Sequence, residues 1–160
     1  MKRLPLILAL AAVACTSSRR QEPDSGPRPA SARPAASAVP GAPSPREAVD
    51  EFLAAVRTQD IQTMVIKWGF EKGPARDGDK KDQLEKSALI MQCYLSHQSF
   101  RVLNDAPGEG GRRVFRVELT NGPATRATNF VTVQGPRSRW YVESADLNPV
   151  KDLCRTPPAP

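Results

Sequence analysis

The stretch that most limits what this chain can fold into is Thr16–Ser44, 29 residues dominated by proline, alanine and serine. It contains no aromatic residue, and Val39 is its only aliphatic side chain larger than alanine. Such a segment cannot bury enough apolar surface to offset the entropy lost on ordering. We therefore expect a semi-extended, disordered linker. The folded domain is then limited to residues 45–155, and a disordered tail is expected at residues 156–160.

A short basic and then apolar segment precedes the linker. Lys2 and Arg3 are followed by Leu4–Val13, an apolar run of about ten residues. A helix that spans a bilayer needs about 20 such residues. The pattern therefore predicts a processed export signal over residues 1–14 rather than a membrane anchor.

The end of this run carries a second signal. Residues 12–15, Ala-Val-Ala-Cys, resemble the lipobox of bacterial lipoproteins, with Ala12 where leucine is common. In that family the cysteine is acylated, with palmitate among the chains, and becomes the first residue of the mature protein. The resemblance implies that Cys15 anchors the protein to a membrane of the bacterial cell envelope. The alternative is ordinary secretory cleavage after Ala14, which leaves Cys15 as a free thiol.

The residue after the cysteine bears on which membrane is involved. In enteric lipoproteins an aspartate at that position retains the protein in the inner membrane, and here the residue is Thr16. The resemblance therefore favours the outer membrane, with the domain facing the periplasm.

The net charge of +6 suggests nucleic acid at first sight, but its distribution does not. Lys2 and Arg3 leave with the signal, and the linker carries +2. From Pro45 onward 17 basic residues face 15 acidic ones. An exported domain so close to charge balance is a poor candidate for binding nucleic acid.

Cys93 and Cys154 are the two remaining cysteines. In an exported protein an even pair favours a disulfide, which here closes a loop of about 60 residues and stabilises the fold by up to ~4 kcal/mol. Two separately buried thiols are the alternative. With one histidine and no CxxC pair, the sequence predicts no metal site and no cofactor.

The domain sequence changes from a helical to an alternating pattern near Ser99. Three helices are predicted before it: one capped by Ser44 and Glu47, a short one capped by Asp60, and one over about residues 81–96, whose apolar face includes Ile90. An exposed loop is expected at residues 70–81. Four strands are predicted after the change: Ser99–Leu103, Arg112–Thr120, Thr125–Val133 and Arg139–Ala145. The order indicates an α+β fold, with three N-terminal helices packed on a curved antiparallel sheet of about four strands.

Two segments carry a family resemblance, PREAVDEFLAAVRTQD at residues 45–60 and RWYVESADL at residues 139–147. A domain with these segments and this element order resembles the cone-shaped fold of nuclear transport factor 2-like proteins, including small envelope lipoproteins of unassigned function. The resemblance implies a curved sheet that wraps the long helix and leaves a pocket at the open end. Some members are isomerases or cyclases and many only bind ligands or partners, so the fold does not decide the activity.

Weak catalytic candidates are His97, Tyr94, Tyr141 and Glu118. His97 is expected at a helix C-terminus, where a cation interacts favourably with the helix dipole. The tyrosines are more often core residues with a bonded hydroxyl. Glu118 alternates outward from its strand and faces either solvent or a cavity.

These observations favour a membrane-tethered envelope protein that binds a small ligand or another envelope protein without catalysis. One alternative is an isomerase- or cyclase-type enzyme that uses the cone pocket. The other is a structural envelope component whose domains pair through an exposed sheet.

Overall fold

The described part of the chain, residues 39–79 and 81–155 of this computed structural model, forms an α+β domain. Its helices are α1 (Pro45–Arg57), α2 (Ile61–Lys67) and α3 (Lys81–Tyr94). The two-residue strands β1 (Gly69–Phe70) and β2 (Gly73–Pro74) form a small hairpin. An antiparallel sheet contains, in spatial order, β3 (Ser99–Pro107), β4 (Arg113–Asn121), β5 (Ala124–Gln134) and β6 (Trp140–Ala145). The predicted α+β class and four-stranded antiparallel sheet are confirmed.

Helix α1 begins with the cap that its sequence predicts. The Ser44 Oγ accepts a hydrogen bond from the Glu47 backbone N–H at 3.2 Å and donates to the Glu47 carboxylate at 2.8 Å. Pro45 fills the first turn, where its missing N–H costs nothing. Asp60 caps α2 in a similar way by accepting from the Thr63 N–H at 2.9 Å.

The core lies between α1 and one face of the sheet. On β4, Phe115, Val117 and Leu119 are buried and alternate with more exposed residues, as the period of two predicts. The Phe52 ring of α1 meets the Phe130 ring of β5 edge to face, with ring centroids 6.4 Å apart. We call this helix-covered face the inner face of the sheet.

Strand β3 is longer than predicted because a β-bulge carries it through a turn-like sequence. Val102 pairs with Val117 and Asn104 with Arg116, so Leu103 is the extra residue. The bulge lets the strand continue to Pro107, although residues 104–107 have the composition of a turn. It also keeps Asp105 opposite Phe115, on the inner face.

Two other predictions need correction, and one further element was not predicted. Residues 70–81, expected to be a loop, contain part of the β1–β2 hairpin and a 3₁₀ turn at Ala75–Asp77, because Gly69 and Gly73 allow the close backbone approach of a tight hairpin. The C-terminal segment Asn148–Arg155 forms a 3₁₀ helix that the sequence did not indicate. Ile90 is 51% exposed and does not widen the apolar face of α3.

The segment 39–43, which the sequence assigns to the linker, packs against the domain. Ala42 is fully buried and forms a two-way backbone bridge with Trp140. The Arg139 side chain donates to the carbonyls of Pro40 and Gly41, at 3.2 and 2.9 Å. The segment covers the outer edge of β6 and replaces a missing strand neighbour.

The Lys67 ammonium also binds the segment 39–43. Its side chain is 1% exposed, and its Nζ lies 2.5 Å from a carboxylate oxygen of Glu51 on α1. The same Nζ donates to the carbonyls of Val39 and Gly41, at 2.9 and 2.7 Å. The two carbonyls use two of the three N–H donors of the ammonium. The contact with Glu51 is an ion pair without hydrogen-bond geometry, and Glu51 Oε2 has no hydrogen-bond partner among the described residues. Lys67 therefore joins α1, α2 and the first described residues at one atom.

We predict that Lys67→Met strongly destabilises the domain. The change leaves the Glu51 carboxylate without its ion-pair partner and removes a donor from two carbonyls, so the free energy of unfolding should fall by about 3 kcal/mol. The matched control is Lys86→Met on the exposed face of α3, which should change it by less than about 0.5 kcal/mol. Urea unfolding followed by tryptophan fluorescence measures both. Equal midpoints for the two variants would contradict the proposed role of Lys67.

Candidate functional site

A groove of about 480 Å³ opens where the start of α1 meets the inner face of the sheet. Its apolar side is formed by Val102, Phe115 and Trp140, from β3, β4 and β6. Pro45 and the bulged Leu103 complete that surface. The volume lies within the range of small-molecule sites, about 300–1,000 Å³. We call this feature the inner groove.

The polar side of the inner groove carries charges of both signs. It is formed by Arg46 of α1, Asn104 and Asp105 of β3, and Arg113 of β4. Arg113 forms a salt bridge with Asp105, and Arg46 pairs with Asp50 at 3.1 Å. These pairs are 36–53% exposed on each side chain, so their net contribution to stability is small. Both guanidinium groups are therefore able to exchange a carboxylate partner for a ligand at little cost.

The sequence missed these groove residues for a local reason. Asp105 lies in a stretch with turn composition, and only the bulge at Leu103 places it on the inner face. Arg113 lies two residues before Phe115 on β4, so its side chain is on the same inner face. That alternation was visible in the sequence, and an arginine at an inward position was the available signal.

Tyr141, a predicted catalytic candidate, is a packing residue. Tyr141 is only 3% exposed. Three glycines surround its ring: Gly41, Gly69 and Gly135. A Cβ at any of them would lie 2.7–2.9 Å from a ring carbon, closer than carbon atoms tolerate. Burial raises the pKa of the Tyr141 hydroxyl, partly offset by Arg139. The ring therefore joins three chain segments.

His97 lies in the turn between α3 and β3, and its side chain is buried there. It is 5% exposed, and its Nδ1 lies 2.8 Å from the Leu95 carbonyl. Because a carbonyl only accepts, Nδ1 carries the proton. Burial lowers the pKa of the imidazole, the bond to Leu95 opposes this, and Arg57 lowers it further. Among the described residues its Nε2 has no hydrogen-bond partner, and its ring meets Phe100 edge to face.

The other two candidates lie elsewhere. Glu118 pairs with Arg101 across β3 and β4 at 2.9 Å, on the face opposite the core. Tyr94, at the end of α3, lines a separate cavity of about 430 Å³ beside the C-terminal 3₁₀ helix. Within residues 39–79 and 81–155, the four candidates therefore form no common site. They are Tyr94, His97, Glu118 and Tyr141.

The predicted cysteine pair lies at disulfide distance. The Cα atoms of Cys93 and Cys154 are 4.7 Å apart, and the pair connects α3 to the C-terminal 3₁₀ helix. Cys15, the predicted signal, the linker up to residue 38 and the tail at 156–160 lie outside the described residues.

Comparisons with known proteins give no identification: no family model matches the chain, and neither do curated proteins or solved structures. Within the described ranges no helix is both long and apolar enough to cross a membrane. The same ranges contain no cluster of three or more histidine, cysteine, aspartate or glutamate side chains suited to a metal ion.

We predict that His97 makes stability depend on pH below about 6.5. Its pKa is 6.5 in the unfolded chain and lower in the fold, so the unfolded state takes up the proton first. Above pH 6.5, His97 should not make the free energy of unfolding depend on pH. It should fall below that, by at most about 1.4 kcal/mol per pH unit, until the folded pKa is reached.

The test compares His97→Gln with the unchanged chain by urea unfolding between pH 7.5 and 5. The variant should be less stable at pH 7.5 and should show a flatter pH dependence. Asp60 and Glu143, whose pKa values are lowered by hydrogen bonds from Thr63 and Arg112, lose their contributions only at more acidic pH. Parallel pH profiles for the two proteins would show that His97 is not the responsible group.

Proposed function

We propose that this chain is a lipid-anchored protein of the bacterial cell envelope whose domain binds a ligand in the inner groove without transforming it. The observation that carries the binding proposal is the composition of that groove. Val102, Phe115 and Trp140 offer an apolar surface, and Arg46 and Arg113 offer exchangeable cationic groups beside it. This combination suits a small amphipathic molecule, or a segment of an envelope protein, with an apolar body and an anionic group.

We also propose that the domain has a cone-like fold. Helix α1 packs on the inner face of β5 and β6, and the inner groove opens beside its first turn. A sheet that wraps a long helix and leaves a pocket at one end is the arrangement that the resemblance to nuclear transport factor 2-like proteins implies. A likeness of fold supports a binding site at that end but does not choose its ligand.

The enzymatic alternative finds less support than binding does. General acid–base chemistry needs a titratable group within hydrogen-bond reach of the reacting atom. Tyr141 is enclosed by glycines, His97 is buried, and Glu118 is paired on the other face of the sheet. Asp105, the one carboxylate in the inner groove, is paired with Arg113 and has no histidine or tyrosine among its groove neighbours.

The structural alternative rests on β3, the open edge of the sheet. Domains that pair through an edge need a regular strand with free backbone groups. Here the bulge at Leu103, the charges of Arg101 and Asp105, and the missing N–H of Pro107 all oppose such pairing. Binding in the inner groove is therefore the function that the domain supports best.

Lipid anchoring is tested by Cys15→Ala in the full chain expressed in a bacterial host. We expect the unchanged protein in the detergent-soluble membrane fraction, because several acyl chains give stable anchoring. The variant should move to the soluble fraction or remain unprocessed. Metabolic labelling with palmitate should mark the unchanged protein and not the variant. Labelling of the variant would show that Cys15 is not the lipidated residue, and an unlabelled unchanged protein would rule out the lipoprotein assignment.

Binding in the inner groove is tested with an anionic aromatic probe, anilinonaphthalene sulfonate, whose fluorescence rises in an apolar site. Arg113→Ala should weaken saturable binding at least tenfold, since a charge-assisted contact is worth about 1.5–3 kcal/mol. The matched control is Arg116→Ala, three residues along β4 on the other face of the sheet. Equal losses in both variants, or no saturable binding, would contradict the proposed site.

A further inference from the structure

A second groove, of about 450 Å³, lies between the β1–β2 hairpin and the first two turns of α3. On the hairpin side it is lined by Trp68 and Phe70. On the helix side it is lined by Gln83, Leu84 and Ser87. Its volume lies within the range of small-molecule sites, and it shares no lining residue with the inner groove. We call this feature the hairpin groove.

The aromatic side of the hairpin groove is held in place by the fold. The Trp68 indole N–H donates to the Glu143 carbonyl at 3.2 Å, and the Trp68 backbone bridges Val142 of β6. Phe70 lies two residues further along the extended chain, so its side chain is on the same side as that of Trp68. The two ring centroids are 6.2 Å apart, and the ring planes make an angle of 58°. Because the only donor of the indole is already bonded, Trp68 offers a ligand its ring rather than a hydrogen bond.

The charge that lines the hairpin groove is negative. Among the lining residues that the structure describes, Asp79 is the one charged residue. Its carboxylate forms no ion pair with a described side chain, whereas Asp77, two residues earlier, pairs with Arg76 at 3.4 Å. The inner groove differs, since Arg46 and Arg113 line it. The hairpin groove therefore complements a cation.

Two aromatic rings beside a carboxylate select one kind of cation. A cation over the face of a tryptophan or phenylalanine ring, within about 6 Å of its centroid, is attracted by the quadrupole of the ring. A primary ammonium or a metal ion holds its water tightly, and Trp68, Phe70 and Leu84 cannot replace that water with hydrogen bonds. A quaternary ammonium spreads its charge over alkyl groups, needs no hydrogen bond and packs well on apolar side chains. Gln83 and Ser87 are able to bond a hydroxyl elsewhere on the same ligand.

We propose that the hairpin groove binds a small organic cation through its quaternary ammonium group, which contacts the rings of Trp68 and Phe70 and is paired with the Asp79 carboxylate. The site is additional to the inner groove and does not depend on it, because the two have no residue in common. It also needs no lipid on Cys15.

The test uses ¹⁵N-labelled residues 15–160 with Cys15→Ser and follows the indole N–H signals by NMR. The chain has two tryptophans, so Trp68 reports on the hairpin groove and Trp140 on the inner groove. The probe is choline, added in exchange for sodium chloride so that the ionic strength stays constant. We expect a saturable shift of the Trp68 signal and none of the Trp140 signal. The uncharged isostere of choline, 3,3-dimethylbutan-1-ol, should bind at least fivefold more weakly.

Three variants separate the contributions to binding. Asp79→Asn should lower the affinity for choline about threefold and leave that for the uncharged isostere unchanged. The matched control is Asp77→Asn, which removes the same charge two residues away and should change the affinity by less than about 1.5-fold. Phe70→Leu keeps an apolar side chain but removes the ring, so it should weaken choline binding about two- to fivefold. Circular dichroism and urea midpoints equal to those of the unchanged chain establish that the variants are folded.

Three results would overturn the proposed cation site. The first is equal affinity for choline and its isostere, which would indicate an apolar groove without charge selection. The second is an equal loss of affinity in Asp79→Asn and Asp77→Asn, which would indicate general attraction to negative charge. The third is a choline-dependent shift of the Trp140 signal without one of the Trp68 signal.

The quaternary ammonium could belong to a free solute or to a phosphatidylcholine headgroup, and sedimentation with phosphatidylcholine vesicles distinguishes the two. Cosedimentation that choline reverses supports the site with a headgroup as the ligand. A saturable choline shift without cosedimentation supports the site with a free solute as the ligand. Ligand binding in the inner groove is measured separately, with the fluorescent probe and Arg113→Ala, so the two binding proposals fail independently.

Discussion

The domain depends on one buried ammonium group. Lys67 Nζ forms an ion pair with the Glu51 carboxylate and donates to the carbonyls of Val39 and Gly41, so one atom connects α1, α2 and residues 39–41. A buried charge is tolerated only when its partners are all present. The position of α2 against α1 and the path of residues 39–43 are thus set together. Because Ala42 of that segment bridges Trp140, the same group also determines how the β6 edge is closed.

Closure of one sheet edge explains where the domain can interact. Ala42 and Trp68 bridge to β6, whereas β3 has β4 as its one strand neighbour among the described residues. The bulge at Leu103 makes the open edge irregular and unsuited to pairing, and at the same time keeps Asp105 on the inner face. One backbone irregularity therefore protects the edge and supplies a polar group to the inner groove. Two roles for a single bulge are consistent with its position at the rim of the sheet.

Hydrophobic periodicity and helix caps predicted the helices and strands. Contacts between residues distant in sequence determined where the candidate functional residues lie. Phe115, Val117 and Leu119 alternate with polar residues, and Ser44 with Glu47 marks a helix start, so local rules sufficed for β4 and α1. No local rule predicts that Lys67, in a short helix, is buried and donates hydrogen bonds to carbonyls 26 and 28 residues away. The sequence gives no local signal for the packing of Gly41, Gly69 and Gly135, because the ring that excludes side chains at these positions comes from Tyr141 on β6. The burial of His97 was likewise not visible in the sequence, and that burial is the main cause of its lowered pKa.

Strand β6 contributes to both faces of the sheet. Successive side chains of a strand point to opposite faces, so Trp140 lines the inner groove while Tyr141 packs against Gly41, Gly69 and Gly135 on the other face. A substitution of Trp140 therefore changes the inner groove directly, whereas a substitution of Tyr141 releases the three chain segments that its ring joins. One of those segments carries the carbonyl of Gly41, to which Lys67 donates, so loss of the Tyr141 ring should also loosen the contacts of Lys67.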